Sequence, residues 1–319
     1  MKKGWLSVTK KHAMGILAGV LGALSVSGVA AQTFSWTFTT IEFPGFASVT
    51  VPLSINNHGD IVGFYDDSNG AIHGYLRRNG GDFVSVDFPG SVGTSALSIN
   101  DRGDIVGTYF DPAGFQHGFL LSDGVFTSID YPGAAQTKGI IFELAAGLGT
   151  AGFGLNRHGD IVGEYADSNK VAHGYLLRRG RFSSFDAPGA TQSPGSETSG
   201  VAINSFGDIV GGVQPSVFHG SNGFLLKNGQ FTIIAPPDAG GGFGTIATGI
   251  NDRGDIVGSY SDKGYDFHGF ARIDGHYIRI DFPGASKTET YRINDDQTIV
   301  GGYADQAHGL RGYIGVRNP

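Results

Sequence analysis

INDRGDIVG, at Ile99–Gly107 and again at Ile250–Gly258, is the stretch that decides the fold. Four close versions accompany it: INNHGDIVG (Ile55–Gly63), LNRHGDIVG (Leu155–Gly163), INSFGDIVG (Ile203–Gly211) and INDDQTIVG (Ile293–Gly301). Their asparagines, Asn56, Asn100, Asn156, Asn204, Asn251 and Asn294, follow one another at steps of 44, 56, 48, 47 and 43 residues. A period of ~40–50 residues with strand-like content marks a propeller or a repeat array.

Each repeat carries four segments in a fixed order. In the second they are SALSIN (Ser95–Asn100), DIVGTYF (Asp104–Phe110), HGFLL (His117–Leu121) and FTSIDYPG (Phe126–Gly133), here strands a, b, c and d. Asn-Asp-x-Gly between a and b reads as a tight turn, because Asn and Asp bond their own backbone and Gly accepts positive φ. Asp-x-x-Gly between b and c is a second turn, and Pro-Gly closes d, since Pro cannot donate to a ladder. Adjacent apolar residues in the strands imply sheets covered on both faces. One unit of ~45 residues cannot cover itself, but radial stacking can. No segment sustains a 3.6-residue period, so helices are not expected.

The chain ends sharpen this reading. Strand d occurs six times, and its first copy, FTTIEFPG (Phe38–Gly45), precedes any a, b or c. The last unit has a, b and c but no d. The expected fold is therefore all-β, a six-bladed β-propeller of four-stranded blades, with the ring closed by the N-terminal strand. Closure removes two unpaired edges.

Residues 1–31 read as an export signal: Lys2, Lys3, Lys10 and Lys11, then apolar Ala13–Val29, then small residues ending at Ala31. Residues 32–319 are then one propeller domain, secreted to the periplasm or the exterior, with no membrane insertion after cleavage. Removing the signal takes four lysines and no acids, carrying the net charge from −7 to −11. That sign argues against nucleic acid as a partner. Cysteine is absent, which excludes disulfides and thiolate metal sites.

HGFLLSDGVFTSIDYPGAAQT (His117–Thr137) and GINDRGDIVGSYSD (Gly249–Asp262) resemble the secreted bacterial HAF-repeat family of extracellular repeat proteins. The resemblance spans nearly all of Phe34–Val316, although the His-Ala-Phe triplet reads His-Gly-Phe or His-Gly-Tyr here. It implies export and a β-repeat architecture, and it supplies no catalytic residues.

Two sets of residues invite a functional reading. One is Asp-x5-His: Asp67/His73, Asp111/His117, Asp167/His173 and Asp262/His268. These could ring a metal or sugar. The favoured reading is a clasp across the b–c turn, with Asp accepting backbone N–H groups and His reaching a neighbouring strand. Neither a metal nor a cofactor is expected. The second set comes from the irregular d–a connections, longest at Ala134–Gly152, since function is usually grafted on variable loops. Lys138, Glu143, Glu197, His219, Glu289, Tyr291 and Arg292 are its polar residues, and they would share one face with the b–c turns.

No nucleophile elbow, HExxH or phosphate loop occurs. The expected function is a secreted monomeric binding or scaffold protein that recognises a glycan or a protein through its elaborated face. The alternative is a polysaccharide hydrolase or lyase at the channel mouth, with two carboxylates such as Glu143 and Glu197 as acid and base. Whether the chain is an enzyme stays open at this point, with non-catalytic binding favoured.

Overall fold

A computed structural model describes residues 34–45, 49–136, 149–216, 220–305 and 309–319. Among them are 24 strands and no helix, and hence no helix able to cross a membrane. The first, β1 (Trp36–Ile41), stands apart in sequence from five groups of four strands and a last group of three. Blade one is β2 (Thr50–Ile55), β3 (Ile61–Asp66), β4 (Ile72–Arg77) and β5 (Phe83–Val86). Blade two is β6 (Gly93–Ile99), β7 (Ile105–Phe110), β8 (Gln116–Ser122) and β9 (Val125–Ile129). Blade three is β10 (Thr150–Leu155), β11 (Ile161–Ala166), β12 (Ala172–Arg178) and β13 (Arg181–Phe185). Blade four is β14 (Glu197–Ile203), β15 (Ile209–Gln214), β16 (Asn222–Lys227) and β17 (Gln230–Ile234). Blade five is β18 (Thr245–Ile250), β19 (Ile256–Ser261), β20 (Phe267–Ile273) and β21 (His276–Ile280). Blade six has β22 (Lys287–Ile293), β23 (Ile299–Asp305) and β24 (Gly309–Arg317). Its outer strand is β1, antiparallel to β24 with Trp36 opposite Arg317 and Ile41 opposite Gly312.

The core lies between blades. Ile41, Val300 and Ile314 of blade six pack with Ile55, Ile61, Tyr65 and Tyr75 of blade one, and equivalent clusters recur at the other junctions. Four junctions also share an aromatic staple, in which the ring ending strand d of one blade stacks on the strand-b tyrosine of the next. The pairs are Phe43 on Tyr65, Phe88 on Tyr109, Tyr131 on Tyr165 and Phe282 on Tyr303, with centroids 3.6–3.7 Å apart. Inner strands such as β2 and β7 are buried throughout, whereas outer strands such as β9 and β17 are largely exposed. The outer strand has no neighbour on its far side, so its polar residues face water.

The six asparagines close a ring. Each Nδ2 donates to the backbone carbonyl of the next asparagine: Asn56 to Asn100, Asn100 to Asn156, Asn156 to Asn204, Asn204 to Asn251, Asn251 to Asn294 and Asn294 to Asn56, at 3.0–3.3 Å. Each Oδ1 meanwhile accepts N–H groups of its own a–b turn, as Asn100 does from Arg102 and Asp104. One side chain thus shapes the hairpin and joins it to its neighbour, which explains why asparagine recurs in all six repeats.

Strand a carries a one-residue bulge in every blade. The bulge pushes a carbonyl toward strand b, and the Gly of Ile-Val-Gly is where it lands. A Cβ on Gly163 would lie 1.8 Å from the Ala151 carbonyl oxygen, so only glycine fits.

Candidate functional site

The bulge residues, Leu53, Leu97, Phe153, Val201, Thr248 and Tyr291, all line the central tunnel. A bulge leaves one residue out of the ladder and re-aims its side chain, here toward the propeller axis. With Phe64, Glu164, Glu197, Ser199, Ile246, Arg292 and Leu310 they bound a cavity of about 520 Å³ in the half of the tunnel nearer the d–a connections. The opposite end, inside the asparagine ring, holds only about 90 Å³ between Asn57, Asp101, Arg157, Ser205, Asp252 and Asp295.

Arg292 stands at the tunnel's waist, buried, and not on the outer rim. Its Nη1 donates to the carbonyls of Thr248 and Tyr291, and its Nη2 to those of Phe153 (2.7 Å) and Val201 (2.8 Å). These are four of the six bulge carbonyls, from blades three to six. Burial lowers the guanidinium to about 10, so it stays charged at neutral pH. The side chain fits because the equivalent positions are small: Ser54, Ser98, Gly154, Ala202 and Gly249. Arg292 therefore ties blades together and floors the cavity, with its Nη donors already engaged.

Glu197 opens β14 and lines the same cavity. Its carboxyl has no hydrogen-bond or ion-pair partner among the described residues, and burial pushes it up to about 6. Tyr291 also lines the cavity, and its hydroxyl donates to Glu289 Oε2 at 2.9 Å. Burial, followed by the Glu289 charge, raises that hydroxyl well above its ordinary value. Glu289 Oε1 meets Lys287 Nζ at 3.1 Å. Of the seven loop-face candidates, Glu197, Tyr291 and Arg292 thus converge on one cavity, and Glu289 reaches it through Tyr291. Lys138, Glu143 and His219 lie outside the described residues, as does most of the long Ala134–Gly152 connection. Glu164 went unnoticed in the sequence because it sits in the regular strand-b register; only its contrast with Phe64, Thr108 and Ser259 at the same position marks it.

The raised Glu197 carries a stability signature. The folded state holds a proton that the unfolded chain releases near 4.5, so stability falls as pH rises from about 4.5 to about 6 and stays reduced above. Glu197→Gln should raise stability at pH 8 by about 2 kcal/mol and change it little at pH 4. Thermal melts at the two pH values check this; an equal effect at both would show that the carboxyl is not held in an unfavourable site.

The Asp/His pairs lie at the outer b–c turns. Asp67 Oδ1 accepts the N–H groups of Asn69 and Ala71 at 2.8 Å, and Asp111, Asp167 and Asp262 do the same in their own turns. These bonds hold the carboxylates of Asp67, Asp111 and Asp262 below the usual range, and Asp167 is lowered likewise despite some burial. The histidines stand 3.4–3.8 Å from them: His73 from Asp67, His117 from Asp111, His173 from Asp167 and His268 from Asp262. On its other nitrogen, Nδ1, each histidine meets a strand-d aspartate: Asp87, Asp130, Asp186 or Asp281, at 2.7–3.1 Å.

Sequence reasoning missed those second aspartates, although the Asp of the Asp-x-Pro-Gly ending was visible. In blade six the same two positions are Arg311 and Glu42, which bond each other. In blade four they are Asn222 and Ala235. When the c-strand residue changes, its d-strand partner changes with it, as a strand-to-strand tie requires.

No known protein family and no curated protein matches the chain. Several solved structures share its fold. AofleA from Arthrobotrys oligospora aligns with a TM-score of 0.52 at 14% identity, over 90% of this chain and 88% of that one. The fucose-specific lectin from Aleuria aurantia aligns with a TM-score of 0.50 at 13% identity, over 89% and 96%. TolB from Acinetobacter baumannii aligns with a TM-score of 0.51 at 10% identity, over 80% of this chain and 63% of that one. At such identities the likeness shows the β-propeller fold alone.

Proposed function

We propose that this chain is a secreted glycan-binding propeller whose ligand enters the tunnel from the d–a face. The observation that carries the reading is the 520 Å³ cavity, whose walls join aromatic and aliphatic side chains (Phe64, Phe153, Tyr291, Leu53, Leu97) to a few convergent polar groups. Its volume falls in the range of small-molecule sites, and apolar walls with sparse polar groups are the usual make-up of such sites. Aromatic faces suit the C–H faces of a sugar ring, and carboxylate and hydroxyl groups suit its hydroxyls. One of the structural neighbours, the Aleuria aurantia lectin, is described as fucose-specific and in complex with Fucα1-6GlcNAc. The lysine-flanked apolar start and the HAF-repeat resemblance support export.

A screen of the purified chain on immobilised glycans, fucosylated ones included, tests the reading. Binding that is lost on Phe153→Ala, in a variant that melts as a folded protein, is the expected result. No binding to any glycan would overturn it. The second reading, a polysaccharide hydrolase, rests on Glu164 and Glu197 sharing the cavity wall with Glu197 raised. It predicts product release from bound polysaccharide, which Glu197→Gln abolishes while binding persists.

A further inference from the structure

The polar groups of the tunnel cavity are unequal in what they offer a ligand. The Nη donors of Arg292 are spent on four backbone carbonyls. The Tyr291 hydroxyl is donated to Glu289, and the Thr248 hydroxyl to the Thr290 carbonyl at 2.6 Å. Among the described residues, what remains facing the cavity is acceptor chemistry, the carboxyl of Glu197, which has no hydrogen-bond or ion-pair partner there. Around it stand the rings of Phe64, Phe153 and Tyr291. A buried carboxylate without a partner is costly, and a cation is the ligand that relieves it most. Aromatic faces add to the attraction for a cation. The net charge of −7 draws cations toward the molecule as a whole.

We propose that the cavity takes an amino sugar, a glucosamine-type unit whose protonated amine seats against Glu197 while its ring packs on Phe64, Phe153 or Tyr291. This rests on the glycan-binding reading and narrows it to a cationic saccharide. A neutral sugar would leave Glu197 without a counter-charge, and an anionic one would meet that carboxyl while the Nη donors of Arg292 are already engaged.

The test is calorimetric titration at pH 7 of the full chain with glucosamine oligomers and with N-acetylglucosamine oligomers of equal length, which share the ring and differ in the amine charge. Wild type should bind the amino form at least tenfold tighter. Glu197→Gln keeps the shape and removes the charge; it should lower amino-sugar affinity at least tenfold and erase most of the preference for the amino over the N-acetyl oligomer. Its melting curve shows that the variant is folded, and the wild-type comparison of the two oligomers stands independently of any variant. Equal affinity for the two oligomers, or an unchanged Glu197→Gln, overturns the proposal. Binding of a neutral fucosylated glycan without the amino oligomer also overturns it and leaves the glycan reading in place. Binding of oligolysine without any saccharide overturns both.

Discussion

Removal of residues 32–44 should lower the melting temperature of the propeller by about 10 °C or more. Those residues include β1, which is the outer strand of the last blade and not a tail. Trp36 and Ile41 are buried, and the Trp36 indole N–H donates to the Gln297 carbonyl at 3.0 Å. Phe38 packs on Phe282 and Tyr313, and Phe43 stacks on Tyr65 of the first blade. Each large side chain taken out of water contributes ~1.5–3 kcal/mol, so the loss is several kcal/mol against a typical total of ~5–15 kcal/mol. A domain of this size loses ~2–4 °C per kcal/mol. The deletion also bares the edge of β24, which favours aggregation. A synthetic peptide of residues 34–45, added in trans, should restore part of the melting temperature. A truncated chain that melts within two degrees of the intact one would mean that β1 adds nothing to the closed ring.

Asn100→Asp should cost about 3–5 kcal/mol at neutral pH, more than an ordinary lost turn cap of ~1 kcal/mol. The change is nearly isosteric and keeps the Oδ1 that accepts from Arg102 and Asp104. It removes the Nδ2 that donates to Asp104 Oδ2 (2.9 Å) and to the Asn156 carbonyl (3.2 Å). A buried carboxylate then faces a second carboxylate and a carbonyl oxygen. Both neighbours disfavour its charged form, so the substituted carboxyl takes a raised pKa in the folded state. Its penalty is therefore largest above that raised value and shrinks as pH falls toward 4. Asn100→Ala adds no such charge and should show the smaller loss, with a weaker pH dependence that comes only from Asp104, whose carboxylate loses one of its donors. Melting curves of the two variants at pH 7 and pH 4 separate these outcomes; matching curves for both would mean that the asparagine ring does not depend on its donors.

The carboxyl of Glu197 ties stability to the proposed binding role. A group that is unfavourable in the folded state and faces a cavity is the pattern expected where binding has been kept at the expense of stability. The Asp/His ties of the rim show the reverse pattern. Their carboxylates accept backbone N–H groups, and their partners covary from blade to blade, so they belong to the scaffold.

The sequence alone determined the number of blades, the order of their strands and the closing role of Phe38–Gly45. Those features repeat, and each has a local cause: Asn and Gly at a turn, Pro-Gly at a strand end, Ile-Val where both faces are covered. It also singled out Arg292, as one of the polar residues that do not repeat, but assigned it to the loop face. Only the tertiary structure decided what that residue does. The bulge in strand a has no signature beyond the obligatory glycine across from it, yet it turns six consecutive-looking strand residues toward the axis and leaves their carbonyls there for Arg292 to bind. The closed ring of asparagines likewise joins residues 238 positions apart, Asn294 to Asn56. The cavity exists because six strands converge on one axis, and convergence is a property of the assembled ring that no single repeat carries.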